Sequence, residues 1–185
     1  MNQAAWVGLG IVGLIVIYFW SLYNALVNLK TQIEEAWSQI DVQLKRRADL
    51  IPNLVEAVKG YAKHEKSVFA EVTKARSAIM SATSLPKMAA ASDMLTGALG
   101  KLFAVAENYP QLKANENFLQ LQKELSDTED KVAYSRQYYN STVMDYNLKI
   151  RVVPNSLVAK SLGFSEKEFF QASEGERKGV KVNFT

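Results

Sequence analysis

The chain has 185 residues, which leaves room for one domain of ordinary size in addition to a membrane segment. Its 22 basic and 19 acidic residues are spread thinly, so no stretch has the clustered positive charge by which proteins bind nucleic acid. Cysteine is absent, which excludes disulfides, thiolate metal sites and thiol nucleophiles.

The first element is an apolar segment. No Asp, Glu, Lys or Arg occurs from Met1 to Leu29, and Ser21 is the only polar residue between Ala4 and Leu22 apart from aromatic ones. A helix over that stretch is about 28 Å long, close to the roughly 30 Å hydrocarbon core of a bilayer. We therefore predict a membrane anchor over residues 1–29, with the lipid bilayer as its partner. The predicted anchor side chains are Trp6, Leu9, Ile11, Leu14, Ile15, Ile17, Phe19 and Trp20.

The alternative for this segment is a cleaved secretory signal. A signal would need a positively charged start, a shorter apolar stretch and a cleavage site of small residues. No Lys or Arg precedes the segment, and aromatic residues end it at Tyr18–Trp20. Cations appear only afterwards, at Lys30 and at Lys45–Arg47, so the positive-inside rule predicts the N-terminus outside and the remainder of the chain in the cytoplasm.

The anchor is predicted to continue into a long soluble helix. Neither Gly nor Pro interrupts Lys30–Ile51, and apolar residues recur every three or four positions as far as Ile79, except that Glu65 stands on the stripe after Ala62. Pro52 removes a backbone donor and predicts a kink, whereas Gly60 is expected inside the helix. The predicted stripe is Ile33, Trp37, Ile40, Leu44, Ala48, Ile51, Val55, Val58, Ala62, Val68 or Phe69, Val72, Ala75 and Ile79.

Two further helices are predicted after a break at residues 81–86. An Ala-rich helix should run from about Lys87 to Asn108, and a second long helix from about Glu116 to Ile150. The predicted fold is all-α, with a single N-terminal transmembrane helix continuing into an antiparallel bundle of long helices over residues 30–172. The core positions of these two helices are Met88, Ala91, Met94 or Leu95, Ala98 and Leu102, then Phe118, Leu121, Leu125, Thr128, Val132, Ser135, Tyr139, Thr142 or Val143, Tyr146 and Ile150.

The C-terminal part is predicted to contain two short helices. One covers Ser156–Leu162 and is capped by Gly163, and Ser165 with Glu168 has the spacing of a capping box for the other. A loosely held tail is expected over residues 173–185. Four apolar residues should either cover an end of the bundle or dock on the membrane or a partner: Leu162, Phe164, Phe169 and Phe170.

No residue pattern indicates a catalytic or cofactor site. His64 begins an H-E-x-x-H pattern, but Val68 stands where the second histidine would be. The G-x-G-x-x-G pattern at residues 8–13 lies inside the apolar anchor, where no nucleotide-binding turn can form. We therefore predict no catalytic residue, no metal and no other cofactor.

Two surface features have structural interpretations. The basic run Lys45–Arg47 is expected to pair with Asp41 and Asp49. Tyrosines on the second long helix are expected to fill the bundle with their hydroxyls at its rim, rather than to form a stacking site. They are Tyr134, Tyr138, Tyr139 and Tyr146.

Several segments together resemble the LemA family of bacterial membrane proteins. The longest is Glu35–Val55 (EAWSQIDVQLKRRADLIPNLV), followed by Val58–Glu65, Ala133–Asn140 and Pro154–Ala159. The resemblance covers nearly the whole chain. It implies a single N-terminal span, a helical bundle and no established enzymatic activity, and some members are associated with building magnetosome membranes. It supplies no catalytic residue.

These observations favour a non-enzymatic, membrane-anchored scaffold or membrane-organising protein. The long stripe exceeds what the shorter helices can cover, so a homo-oligomer is expected, and other envelope proteins remain unidentified partners. The alternative is an adaptor or regulatory subunit of a membrane protease or phosphatase, without assembly of its own. The predicted location is the bacterial inner membrane, crossed once.

Overall fold

A computed structural model describes residues 3–170, with the backbone alone at positions 4 and 5. Every regular element in this part of the chain is a helix, which confirms the all-α fold. The tail expected over residues 173–185 lies outside the described residues. The helices are α1 (Gln3–Lys59), α2 (Lys66–Ser81), α3 (Leu85–Ala106), α4 (Pro110–Lys113), α5 (Glu116–Arg151) and α6 (Asn155–Ser161).

The described residues form two compact units, of which the first comprises residues 3–38 and 137–169. In this unit α1 and α5 are antiparallel. Trp37 meets Tyr139 with ring centroids 6.3 Å apart, and Tyr18, earlier in α1, contacts Asn155, which follows α5. The core of this unit contains Leu22, Leu26, Ile33, Ala36, Val143, Tyr146, Ile150, Val158 and Ala159.

The second unit comprises residues 39–136 and Phe170. The remainder of α1, together with α2, α3 and the first part of α5, forms a four-helix arrangement in which consecutive long helices alternate in direction, as the contacts between them show. Glu71 of α2 and Lys101 of α3 form an ion pair of 2.6 Å across one of these antiparallel pairs. The core contains Leu44, Ala48, Ile51, Leu54, Val58, Phe69, Val72, Ala75, Ile79, Met88, Leu95, Leu102, Phe118, Leu125 and Val132.

The predicted apolar stripes mostly coincide with the buried faces. At the three positions where the sequence allowed alternatives, Phe69 and Leu95 are buried while Met94 is exposed, and Thr142 and Val143 are both buried. Trp37 is only half-buried, because Ala36 occupies the fully buried position beside it. The spacing therefore predicts the face correctly and misplaces single residues at its edge.

Helix α1 continues through Pro52 and ends at Lys59. Proline has no N–H, so the carbonyl of Ala48, four residues earlier, loses its usual helical donor. Arg76 of α2 replaces that donor, because its Nε–H donates to the Ala48 oxygen at 3.0 Å. The kink predicted at Pro52 stays a prediction. The Ala48 carbonyl, which the proline leaves without a helical donor, is paired with Arg76.

The prediction that Gly60 lies inside a helix reaching Ile79 is wrong. The chain turns over residues 60–65, where the N–H groups of Tyr61 and Ala62 both donate to the Val58 carbonyl. This turn lets α2 fold back on α1, so apolar residues on both sides of it are buried in one core. Neither Gly60 nor the polar residues after it have apolar side chains whose burial would favour continuing the helix.

The C-terminal prediction is half correct. Helix α6 forms as expected, and Gly163 follows it with φ of 76°. The N–H of Phe164 donates to Ala159 and that of Gly163 to Lys160, which is the Schellman arrangement. The capping-box helix predicted at Ser165–Glu168 is wrong: residues 164–170 are not helical, because side chains of α5 bind their backbone groups.

We predict that Arg76→Met lowers the free energy of unfolding by about 1–3 kcal/mol, because it leaves a buried carbonyl without a donor. In a Pro52→Ala background residue 52 regains an N–H for Ala48, so the same change should cost roughly half as much or less. Urea unfolding of the full chain in detergent, followed by circular dichroism, measures both. Lys74→Met, an exposed cation on the same helix, is the control, and equal losses in both backgrounds would contradict the pairing.

Candidate membrane interface

The first part of α1 presents apolar side chains in every direction. From Trp6 to Trp20 every residue is exposed, with Phe19 at 45% and Trp20 at 72%. Within the described chain, α1 is the helix long enough and apolar enough to cross a membrane, and a membrane location fits it. All the predicted anchor residues lie on this exposed surface: Trp6, Leu9, Ile11, Leu14, Ile15, Ile17, Phe19 and Trp20.

Burial on α1 begins at Leu22, which is 5% exposed, and Leu26 is fully buried. The aromatic residues at this boundary contact the C-terminal part of the chain. The Tyr18 hydroxyl donates to Asn155 Oδ1 at 2.6 Å, and the Tyr23 ring meets Phe164 edge-on with centroids 6.1 Å apart. Because Asn155 begins α6, this helix lies beside the turns of α1 at which exposure ends.

An apolar groove of about 480 Å³ runs along the same turns of α1. Its walls are almost entirely hydrocarbon and aromatic, so it suits an acyl chain or an apolar side chain better than a polar metabolite. It is lined by Val16, Phe19, Trp20, Tyr23, Asn24 and Leu162.

Residues 164–169 are held against α5 by hydrogen bonds from buried side chains. The Asn147 amide both donates to the Lys167 carbonyl and accepts from the Lys167 N–H, each at 2.9 Å. The hydroxyls of Tyr146 and Tyr139 donate to the carbonyls of Ser165 and Glu168, each at 3.1 Å. These bonds satisfy backbone groups that a helix would have paired internally.

The pKa shifts of side chains in this region favour the charge states that its hydrogen bonds need. Burial raises the pKa of Tyr146 and of Tyr139, so both hydroxyls keep the protons that they donate. Arg151 binds Glu166 through Nε at 2.7 Å. Its hydrogen bond lowers the pKa of the Glu166 carboxyl, and the pKa of Arg151 is raised in return.

The four apolar residues of the C-terminal part have different environments. Phe170 is buried, with the Arg136 guanidinium 4.5 Å from its ring centroid in the second unit. In the first unit Phe164 is half-buried against Tyr23, whereas Leu162 and Phe169 are exposed. Packing against the bundle therefore explains Phe170 and, in part, Phe164, but it does not explain Leu162 or Phe169.

One basic residue is buried in the second unit. Arg47 is 4% exposed, forms an ion pair with Glu129 and donates from Nη1 to Thr96 at 3.1 Å. Desolvation lowers the pKa of Arg47, and the Glu129 carboxylate opposes that effect. Of the pairing predicted between the basic run and Asp41 and Asp49, the Lys45–Asp41 pair forms at 2.6 Å. Arg47 points into the bundle and pairs with Glu129.

The described residues bring together no group recognisable as catalytic. No three His, Asp or Glu side chains among residues 3–170 are placed to hold a metal ion. His64 is exposed in the turn after α1. Of the four tyrosines, Tyr134 and Tyr138 are exposed while Tyr139 and Tyr146 are buried, so the latter two serve the packing of the first unit.

Sequence reasoning missed Asn147 and Asn155 as structural residues. Both are polar residues whose partners lie far along the chain, in contrast to the local spacing on which the stripe analysis depends. For Asn147 one signal was available, because it follows Tyr146 on a face that is otherwise apolar. A polar residue on a buried face needs a partner.

The family of the chain follows from its sequence. A model of the LemA family matches residues 36–184. The chain belongs to the LemA family. The match begins within α1, after the exposed apolar part, and includes α2 to α6, so the resemblance noted in the sequence is confirmed and centres on the helical bundle.

Curated relatives agree with this assignment. The LemA protein of Metamycoplasma hominis is 30% identical over 86% of this LemA-family chain and 74% of its own length. Magnetosome protein MamQ 2 of Paramagnetospirillum magneticum and magnetosome protein MamQ of Magnetospirillum gryphiswaldense are 26% and 25% identical over 80% of the chain. The chain spans 64% of each of these two proteins, which is less than two thirds.

We predict that Asn147→Ala releases residues 164–169 from α5. Both amide hydrogen bonds are lost and the Lys167 backbone is left unpaired, at a cost of about 1–3 kcal/mol. Hydrogen–deuterium exchange of the full chain in detergent should show faster exchange over residues 165–168. Asn117→Ala, at an exposed position on the same helix, should leave this exchange unchanged. Unaltered protection in Asn147→Ala would show that the pairing does not hold the segment.

Proposed function

We propose that this LemA-family protein is a membrane-anchored scaffold that acts without catalysis, by self-association and by tethering its helical bundle to the bilayer. One observation is central to the proposal. Within the single helix α1, side chains are exposed on all sides up to Ser21 and buried from Leu22 onward on one face. Such a helix is suited to joining lipid to a protein bundle through one continuous backbone.

The relatives support a non-enzymatic role. Their names, LemA protein and magnetosome protein, denote no enzyme activity. The magnetosome relatives are named for an intracellular structure rather than for a reaction, which favours a part in organising an assembly. The oxygen and nitrogen atoms of buried side chains in the first unit bind backbone groups of the same chain, which is a structural use.

A candidate surface for self-association lies on α5 in the first unit. Tyr138, Met144 and Leu148 lie within about a third of the helix circumference, and Met144 and Leu148 are more than half exposed. Large apolar residues on one exposed helix face are typical of a face that packs against another helix. A second copy of the chain supplies such a helix, and a foreign partner helix is the alternative, which corresponds to an adaptor.

The cysteine-free chain makes a direct test possible, because a single introduced cysteine is the only thiol present. We predict that Met144→Cys, treated in native membranes with a bifunctional maleimide, gives a crosslinked dimer. Lys123→Cys, exposed on the same helix in the second unit, is the matched control and should give little dimer. Light scattering of the purified chain in detergent should show at least two copies per particle.

Other outcomes of this test are equally informative. The double variant Met144→Glu with Leu148→Glu should shift the particle towards one copy, because charge on both residues would have to be desolvated at the interface. A strict monomer at all concentrations contradicts self-association. A single crosslinked band that contains a different protein would favour the adaptor.

We also propose that the N-terminus lies outside the inner membrane and the bundle in the cytoplasm. The proposal depends on Lys30 and Arg46, which are exposed cations after the span, whereas residues 1–5 contain no Lys or Arg. A membrane-impermeant maleimide should label Gln3→Cys in intact spheroplasts and Ser126→Cys only after permeabilisation. The reverse pattern would place the bundle outside.

A further inference from the structure

We propose that α6 and its flanking residues, 152–164, form a second membrane contact that inserts into the lipid headgroup region beside the span. The inference rests on the membrane anchoring proposed above. It concerns lipid contact by a part of the chain more than a hundred residues away from the span in sequence. Position, exposure and charge of this segment support it independently.

The position of α6 is set by contacts within the first unit. Tyr18 and Tyr23 are the tyrosines near the cytoplasmic end of the proposed span, and aromatic residues of this kind mark the level of the membrane interface. Asn155 accepts a hydrogen bond from Tyr18, and Phe164 contacts Tyr23, so both ends of the segment are joined to residues at that level. A bilayer around the span would therefore surround α6 as well.

The exposed side of the segment is apolar. Val158 and Ala159 are buried against the first unit, whereas Leu157, on the other side of the short helix, is 72% exposed. Val153, before α6, is 80% exposed, and Leu162, after it, lines the apolar groove along α1. Three apolar residues facing outward beside a membrane span are arranged as in an interfacial helix.

The charge of the segment is also suited to lipid. Between residues 152 and 164 the only charged residue is Lys160, which is exposed. A lysine can extend to the phosphate groups while its hydrocarbon stem stays at the acyl boundary. No carboxylate in the segment would have to leave water. Lipid is favoured over a protein partner because the exposed residues continue the surface of α1 that needs lipid.

Electron paramagnetic resonance of single nitroxide labels tests the proposal in the full chain, reconstituted in vesicles of phosphatidylcholine and phosphatidylglycerol. Labels are attached at Val153→Cys and Leu157→Cys, both highly exposed, so the substitutions leave the core intact. Ser38→Cys, exposed on α1 in the same unit and away from the α5 face proposed for self-association, is the aqueous control. We predict that the collision ratio of oxygen to a water-soluble nickel complex at residues 153 and 157 exceeds that at residue 38 at least about threefold.

Each outcome has a separate meaning. High access to oxygen with low access to nickel at residue 157 supports insertion. High access to nickel there would place α6 in water, and low access to both reagents would show that protein covers it; either result overturns the proposal. A label at Val12→Cys reports on the span itself. Nickel access at residue 12 would refute the anchor, whereas a lipid signal at residue 12 with an aqueous one at residue 157 would refute only the role of α6.

Discussion

Burial of apolar side chains on α1 begins at Leu22, and the hydrophobic effect acts differently on the two sides of this residue. Before Leu22 the apolar side chains face outward on all sides, and a surrounding apolar solvent such as the bilayer core would remove them all from water. After it, the apolar residues occupy one face and are covered by other helices. The aromatic contacts, the groove and α6 are all found at this change of environment.

The sequence predicts the long elements well, because their signals are local and repeated. The three-to-four spacing identifies α5 to within a residue of its observed ends and identifies most buried positions of α1 and α3. The same signal continues across Gly60 and so predicts one helix where two fold back on each other. An apolar face that returns in phase after a turn cannot be distinguished by spacing from an uninterrupted helix.

The contacts of the candidate interface were less predictable, because they join residues far apart in sequence. Ser165 and Glu168 have capping-box spacing, but buried amide and hydroxyl groups of α5 compete for the backbone groups that a helix would use. Similarly, Asp49 is closer in sequence to Arg47 than Glu129 is, yet Glu129 is the partner that the bundle brings to the buried guanidinium. Tertiary contacts override local helix propensity and local charge pairing where they satisfy the same backbone groups and charges.

The large sequence separation within the first unit has a consequence for biosynthesis. Asn155 follows Tyr18 by 137 positions, and the whole second unit except Phe170 lies between the two halves of the first. At about 5–20 residues per second, roughly 5–30 s pass between the translation of these two residues. The ribosome therefore completes α1 long before its antiparallel partner exists. During this interval the side chains of residues 22–38 have no native cover, so any protection from water has to come from outside the first unit until α5 is made.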